Sequence, residues 1–128
     1  RERGAVMSPA DGMRSELQAA VSAAFALGGP LQRADAQYRE RGAQLELAAA
    51  VADAIDAREV LVAEAGTGVG KTFAYLVPAL LAGHRTLIST ATKSLQDQLY
   101  LRDLPRLREV LALPVSVALL KGRSSYLC

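Results

Sequence analysis

The hydrophobic positions recur at helical spacing in the first half of the chain. Residues 13–27 and residues 44–57 each carry an apolar side chain every three or four positions, which predicts two amphipathic helices. In the second helix the predicted apolar stripe consists of Leu47, Ala48, Val51 and Ile55. Because such a stripe is stable only when it is covered, we expect it to pack against a neighbouring element.

The periodicity changes at Val60. Residues 60–63 form an apolar run without polar alternation, which is typical of a buried strand. A glycine-rich stretch follows over 66–70, and helical spacing returns over 71–82. Pro78 lies inside this predicted helix, where it removes a backbone donor and is expected to kink the helix or to shift its hydrogen bonding locally. Gly83 is the expected C-cap residue. The segment therefore predicts a strand, a loop and a helix in succession.

Two more strands are predicted over 85–89 and 115–120, with a helix over 93–102 that stops near Pro105. The predicted strands begin at intervals of roughly 30 residues, which is the spacing of βαβ units. Crossovers of this length join parallel strands. We therefore predict an α/β fold with a parallel sheet in residues 13–128, preceded by a flexible tail over residues 1–12.

The composition fits one globular domain. The chain has 128 residues, of which 51% are hydrophobic and 22% are charged, so it can bury a core. The single cysteine, Cys128, excludes an internal disulfide, and no early apolar run resembles a signal peptide or a membrane span. We therefore expect a cytoplasmic protein. Because the chain starts at Arg1 and ends at Cys128, directly after a predicted strand, we also expect it to be a fragment.

Charge is distributed unevenly between the two halves of the chain. Residues 1–64 hold 7 Lys and Arg and 10 Asp and Glu, a net charge of −3. Residues 65–128 hold 8 Lys and Arg and 3 Asp and Glu, a net charge of +5. The second half is therefore the half that we expect to meet phosphates.

The strongest chemical signal is the stretch Ala65-Gly66-Thr67-Gly68-Val69-Gly70-Lys71-Thr72, between a predicted strand and a predicted helix. Glycines let the backbone turn its N–H groups inward towards a phosphate, and the helix N-terminus adds partial positive charge. Lys71 would neutralise the β- and γ-phosphate oxygens, and Thr72 would give its hydroxyl to Mg²⁺. Ala65 replaces the first glycine of the usual P-loop and is small enough to fit. The stretch predicts a nucleotide site of the P-loop type.

A P-loop indicates a nucleotide site but does not decide the function. Three classes of protein are open on the residues: a motor such as a helicase, a small-molecule kinase or other P-loop NTPase, and a nucleotide- or DNA-binding module without catalysis. The chain has no adjacent Asp-Glu pair to hold Mg²⁺ and orient the attacking water, which favours the third class. Its abrupt end at Cys128 opposes that class.

Four stretches resemble motifs of the XPD-like superfamily 2 helicases, and are closest to their bacterial DinG/YoaA branch. Residues 65–72 resemble motif I. Tyr38, Arg41 and Gln44 resemble the segment in which an aromatic ring and a glutamine recognise adenine, although ordinary helix-start chemistry also fits them. The resemblance makes these three residues candidate contacts of the base of ATP.

The other two stretches lie in the second half of the chain. Residues 89–99 are similar to motif Ia, which makes Thr90, Thr92 and Lys93 candidate contacts of DNA. Capping of the helix by Thr92 or Ser94, with a solvated Lys93, also fits these residues. Residues 119–128 are similar to the Lys-Gly-Arg-x-Asn-Tyr-Leu-Cys segment of DinG-type helicases, with Ser125 where asparagine is frequent. In that segment the cysteine is the first of four ligands of a [4Fe–4S] cluster, so Cys128 is the candidate ligand.

The resemblance implies a RecA-like ATP-binding domain of a helicase. ATP hydrolysis with Mg²⁺ would drive movement from 5′ to 3′ along single-stranded or forked DNA, as in DNA repair, and a [4Fe–4S] cluster would be a further cofactor. The acidic pair and the second motor domain of such helicases are absent from these 128 residues. We therefore expect the chain alone to be inactive.

Overall fold

The computed structural model describes residues 9–26, 29–34, 42–66 and 70–122. These residues form two compact units, the first within residues 1–86 and the second within residues 87–128. In chain order the described helices of the first unit are α1 (Pro9–Phe25), α2 (Pro30–Ala34), α3 (Gly42–Ala57) and α4 (Lys71–Ala82). Those of the second unit are α5 (Lys93–Gln98), a π-helical turn (Leu99–Asp103) and α6 (Leu104–Val110).

The core of the first unit lies among α1, α3 and α4. Helix α1 contributes Val21 and Phe25, and α4 contributes Leu76 and Val77, all of which are buried. Helix α3 packs against both α1 and α4. Helix α1 begins at Pro9, four residues before the predicted start, because proline is tolerated at the first helical position, where its missing N–H would have no partner. The predicted flexible tail over residues 1–12 is thus helical from Pro9 onwards.

The buried face of α3 differs from the predicted stripe. Gln44, Ala48 and Ala52, four residues apart, are buried, whereas Leu47, Val51 and Ile55 are only half-buried. Positions four residues apart share one face of a helix, and the two alanines leave room there for the neighbouring helices. The buried face of α3 therefore begins, at the N-terminal end of the helix, with a polar side chain, Gln44.

Two helices end on a residue other than glycine in the left-handed region. Arg58, after α3, has a φ of 54°, and Ala112, after α6, has a φ of 52°. The Arg58 N–H donates to the Ile55 oxygen at 3.2 Å, and the Glu59 N–H donates to the Ala54 oxygen at 3.0 Å. This pair of bonds is the Schellman motif, in which glycine is the usual left-handed residue.

Pro105 does not stop the helical segment of the second unit, contrary to the prediction. The backbone remains helical from Lys93 to Val110 by passing through the π-helical turn. Because Pro105 has no N–H to donate four residues back, the hydrogen-bond ladder changes step beside it, and the Leu104 N–H donates to the Leu99 oxygen five residues earlier. Leu99 and Leu107 are buried and form the apolar centre of this unit.

The three segments predicted as strands do not form a sheet in the part of the chain that the structure describes. Residues 60–63, 85–89 and 115–120 are all in non-helical backbone without ladder pairing. Val62 is 93% exposed and Leu87 is 92% exposed. Burial alternates between half-buried and exposed over residues 113–122, the period of a strand. A strand is completed only by a hydrogen-bonded neighbour, so the local pattern is present but the predicted parallel sheet is not confirmed.

Candidate functional site

The glycine-rich stretch ends in a left-handed turn at Gly70. Gly70 has a φ of 75° and a ψ of 46° and lies directly before Lys71, the first residue of α4. Glycine adopts this conformation without the steric penalty that a Cβ brings. At the other end of α4 Gly83 has a φ of 73°, and its N–H donates to the Leu80 oxygen at 3.3 Å. The predicted C-cap role of Gly83 is therefore confirmed, and Pro78 lies inside the helix without ending it.

The predicted phosphate-binding residues lie at the N-terminal end of α4 and before it. Lys71 is exposed and Thr72 is half-buried in the first turn of α4, while Ala65 is half-buried and Gly66 is exposed. Thr67, Gly68 and Val69 lie outside the described residues. The N–H groups of a first helical turn have no acceptor within the helix and carry the positive end of its dipole. This end of α4 therefore offers backbone donors, a cation and a hydroxyl to an anion.

Gln44 connects α3 to the end of the glycine-rich stretch. Gln44 is 4% exposed, and its Nε2 donates to the Gly70 carbonyl oxygen at 3.1 Å. The sequence predicts Gln44 as a reader of adenine, but it carries no local signal of this bond, which joins residues 26 positions apart. Tyr38 and Arg41, the other two predicted adenine contacts, lie outside the described residues.

The predicted DNA contacts lie at the start of α5 in the second unit. Thr92 is the N-cap residue, and its Oγ1 accepts a hydrogen bond from the Leu95 N–H at 3.2 Å. The Thr90 hydroxyl donates to the Thr92 carbonyl oxygen at 3.2 Å, and Lys93 is exposed. The capping role is confirmed. Contact with DNA stays a prediction for these three residues.

The segment that leads to Cys128 is tied to α5 by two interactions that the sequence did not reveal. Gln96 Nε2 donates to the Leu120 oxygen at 2.9 Å, and Lys121 Nζ lies 3.0 Å from Asp97 Oδ1. Cys128 itself lies outside the described residues. Within the described part of the chain, no three His, Cys, Asp or Glu side chains come together as a metal site.

None of the helices in the described part of the chain has the length and hydropathy needed to cross a bilayer.

The chain is similar to known helicases. A family model described as DEAD/DEAH box helicase matches residues 45–126. The ATP-dependent DNA helicase YoaA of Haemophilus influenzae is 54% identical over 104 residues, which are 81% of this chain and 16% of that protein. YoaA of Escherichia coli is 53% identical, with the same coverage. The ATP-dependent helicase DinG of Mycobacterium tuberculosis is 53% identical over 98 residues, 70% of this chain and 15% of that protein.

These matches confirm the resemblance to the DinG/YoaA helicases that the motifs indicate. The chain spans about 16% of the length of the first curated relatives it matches. No solved structure matches it. A family model that covers most of the chain, including Lys71 and the start of α5, implies a RecA-like P-loop fold and decides the family. The chain belongs to the DEAD/DEAH box helicase family.

Proposed function

We propose that the chain is the ATP-binding part of an ATP-dependent DNA helicase that moves from 5′ to 3′ along single-stranded or forked DNA. The observation that carries the proposal is the left-handed turn at Gly70, followed at once by Lys71 at the start of α4. In a chain of the helicase family this turn is the end of a phosphate-binding loop. The names of the YoaA and DinG relatives support a DNA substrate.

The loop residues have distinct roles in this proposal. The N–H groups of residues 65–72 and the start of α4 bind the phosphates of ATP. The exposed ammonium of Lys71 neutralises the β- and γ-phosphate oxygens. The Thr72 hydroxyl is a hard oxygen donor one residue later, which suits Mg²⁺, and the ion would neutralise charge on the phosphates.

Base recognition and DNA binding are assigned to separate segments. Tyr38, Arg41 and Gln44 select adenine, as the resemblance implies. Thr90, Thr92 and Lys93 contact the backbone of single-stranded DNA. The exposed lysine at the start of α5, beside two hydroxyl groups, supports this second assignment.

Three further assignments concern the full-length protein that carries this chain. Residues 60–63, 85–89 and 115–120 pair in the parallel sheet of a RecA-like domain, which is consistent with their exposed apolar side chains. Cys128 is the first of four ligands of a [4Fe–4S] cluster; such a cluster needs four thiolates, and these 128 residues supply one. A DNA substrate also favours the predicted cytoplasmic location.

Calorimetry of Mg-ATP binding to the full-length protein tests the loop assignment. We expect Lys71→Ala to abolish measurable binding, because it removes the cation aimed at the phosphates while the backbone remains. The matched control is Arg58→Ala, which removes one positive charge directly after the C-terminal end of α3, 14 residues after Gln44, and keeps a Cβ at this left-handed position. Equal affinities for the parent and for Lys71→Ala would refute the P-loop.

A further inference from the structure

Gln44 is placed to act on the phosphate loop itself and not only on a base. It lies in the first turn of α3, is buried, and its amide reaches the last residue before α4. The base-reading assignment does not account for this contact, because Gly70 is part of the loop that faces the phosphates. The hydrogen bond between Gln44 and Gly70 therefore indicates a second role for Gln44, separate from base reading.

The carbonyl of Gly70 is held from two sides. It accepts the first helical hydrogen bond of α4, from the Ala74 N–H at 3.2 Å, and it accepts the Gln44 amide at 3.1 Å. A carbonyl oxygen has two lone pairs, so both bonds form without competition. The plane of the Gly70–Lys71 peptide is fixed by these two donors.

Fixing that plane also fixes the direction of the Lys71 N–H. In a trans peptide the N–H and the preceding C=O point in opposite directions. Because the Gly70 oxygen points towards Gln44 and the next turn of α4, the Lys71 N–H points away from both, out of the N-terminal end of the helix. That is the direction from which an anion meets a helix N-terminus.

The space beside Gly70 is closed by the same side chain. A Cβ built on Gly70 would collide with Gln44 Nε2. Gln44 therefore packs directly against the Cα of Gly70 as well as bonding to its oxygen. Both contacts favour the left-handed turn that ends the loop.

We propose that Gln44 is a positioning residue of the phosphate loop, whose amide holds the Gly70–Lys71 peptide so that the Lys71 N–H faces the phosphates of a nucleoside triphosphate. The inference rests on the proposed nucleotide site and adds to it a role that does not involve the base. It follows that Gln44 contributes to the binding of a ligand that has no base at all.

The test uses such a ligand on the full-length protein. Calorimetry with inorganic tripolyphosphate and Mg²⁺, and separately with Mg-ATP, is carried out on the parent, Gln44→Ala and Gln44→Met. Methionine fills nearly the same space as glutamine but cannot donate to Gly70. The matched control is Gln18→Ala, because Gln18 Nε2 makes the same kind of bond, to the Ala49 oxygen at 2.9 Å, within the same unit but not to the loop. Thermal unfolding of every variant is recorded alongside.

We expect both Gln44 variants to bind tripolyphosphate about 2- to 12-fold more weakly than the parent, the factor that corresponds to one hydrogen bond. Gln18→Ala should bind it as the parent does, even where its unfolding temperature falls by a similar amount. Parental affinity of Gln44→Met for tripolyphosphate would overturn the positioning role, and so would a loss seen with ATP alone, which is the signature of base reading. A parent that binds neither ligand would overturn the proposed nucleotide site and this inference with it.

Discussion

Alanine substitutions at the two ends of α4 separate the strain of a left-handed backbone from the effect of Gln44. Gly70 and Gly83 have nearly the same φ, 75° and 73°. Their surroundings differ, because a Cβ on Gly83 would meet nothing within 4 Å, whereas a Cβ on Gly70 would collide with Gln44 Nε2. The two positions therefore form a matched pair.

The expected magnitudes follow from this difference. An alanine held in the left-handed region costs about 1 to 2 kcal/mol, and Gly83→Ala carries that cost alone. Gly70→Ala must also push the Gln44 amide away from the Gly70 oxygen, and a hydrogen bond contributes about 0.5 to 1.5 kcal/mol. We therefore expect Gly70→Ala to lower the free energy of unfolding by about 0.5 to 1.5 kcal/mol more than Gly83→Ala does.

Urea unfolding followed by far-ultraviolet circular dichroism measures the difference in the free energy of unfolding between Gly70→Ala and Gly83→Ala. The double variant Gly70→Ala with Gln44→Ala provides an internal check, because the bond is already broken by the first substitution. The two losses should then be non-additive, with a coupling close to the hydrogen-bond contribution. Equal losses for Gly70→Ala and Gly83→Ala, or strictly additive losses in the double variant, would show that Gln44 does not constrain Gly70.

Three further predictions concern the helix ends and the start of α5. Arg58→Gly should raise the free energy of unfolding by about 1 kcal/mol, because glycine relieves the left-handed strain at a φ of 54°; an unchanged or lower urea midpoint would contradict this. Thr92→Ala should lower the stability by about 1 kcal/mol through loss of the N-cap, whereas Thr92→Ser should keep it, and equal midpoints for the two would argue against capping. Lys93→Ala should weaken single-stranded DNA binding by the full-length protein and reduce its salt slope by about 0.7, the contribution of one phosphate contact, and an unaltered slope would remove Lys93 from the DNA site.

The features that the sequence predicts correctly are those decided within a few residues. The spacing of apolar residues finds the helices that become α3 and α4, and glycine after the last periodic position finds the Gly83 cap. The sequence offers Thr92 or Ser94 as the cap of α5, and in the structure the Thr92 hydroxyl accepts from the Leu95 N–H three residues on. The glycine-rich stretch followed by a helix, with Lys71 and Thr72 after the glycines, predicts a nucleotide site; the family match is consistent with it, and the roles of the individual residues stay predictions.

The features that the sequence does not predict depend on distant partners. Alternation over residues 113–122 is the local signal of a strand, but a strand also needs a neighbour, and the described residues form no ladder. Pro105 does not end the helical segment, because the π-helical turn before it replaces the i to i−4 hydrogen bonds by i to i−5 bonds. The sequence pattern gives no sign of this change. The bond from Gln44 to Gly70 depends on how α3 packs beside α4, which periodicity does not specify.

Phosphate release from ATP by the full-length protein, with and without single-stranded DNA, tests the proposed helicase motor most directly. We expect DNA to stimulate phosphate release by the parent, Lys71→Ala to reduce release to background with or without DNA, and Arg58→Ala to behave as the parent does. DNA-stimulated release that persists in Lys71→Ala, or release by the parent that DNA leaves unchanged, would contradict a DNA-dependent helicase motor whose ATP site includes Lys71.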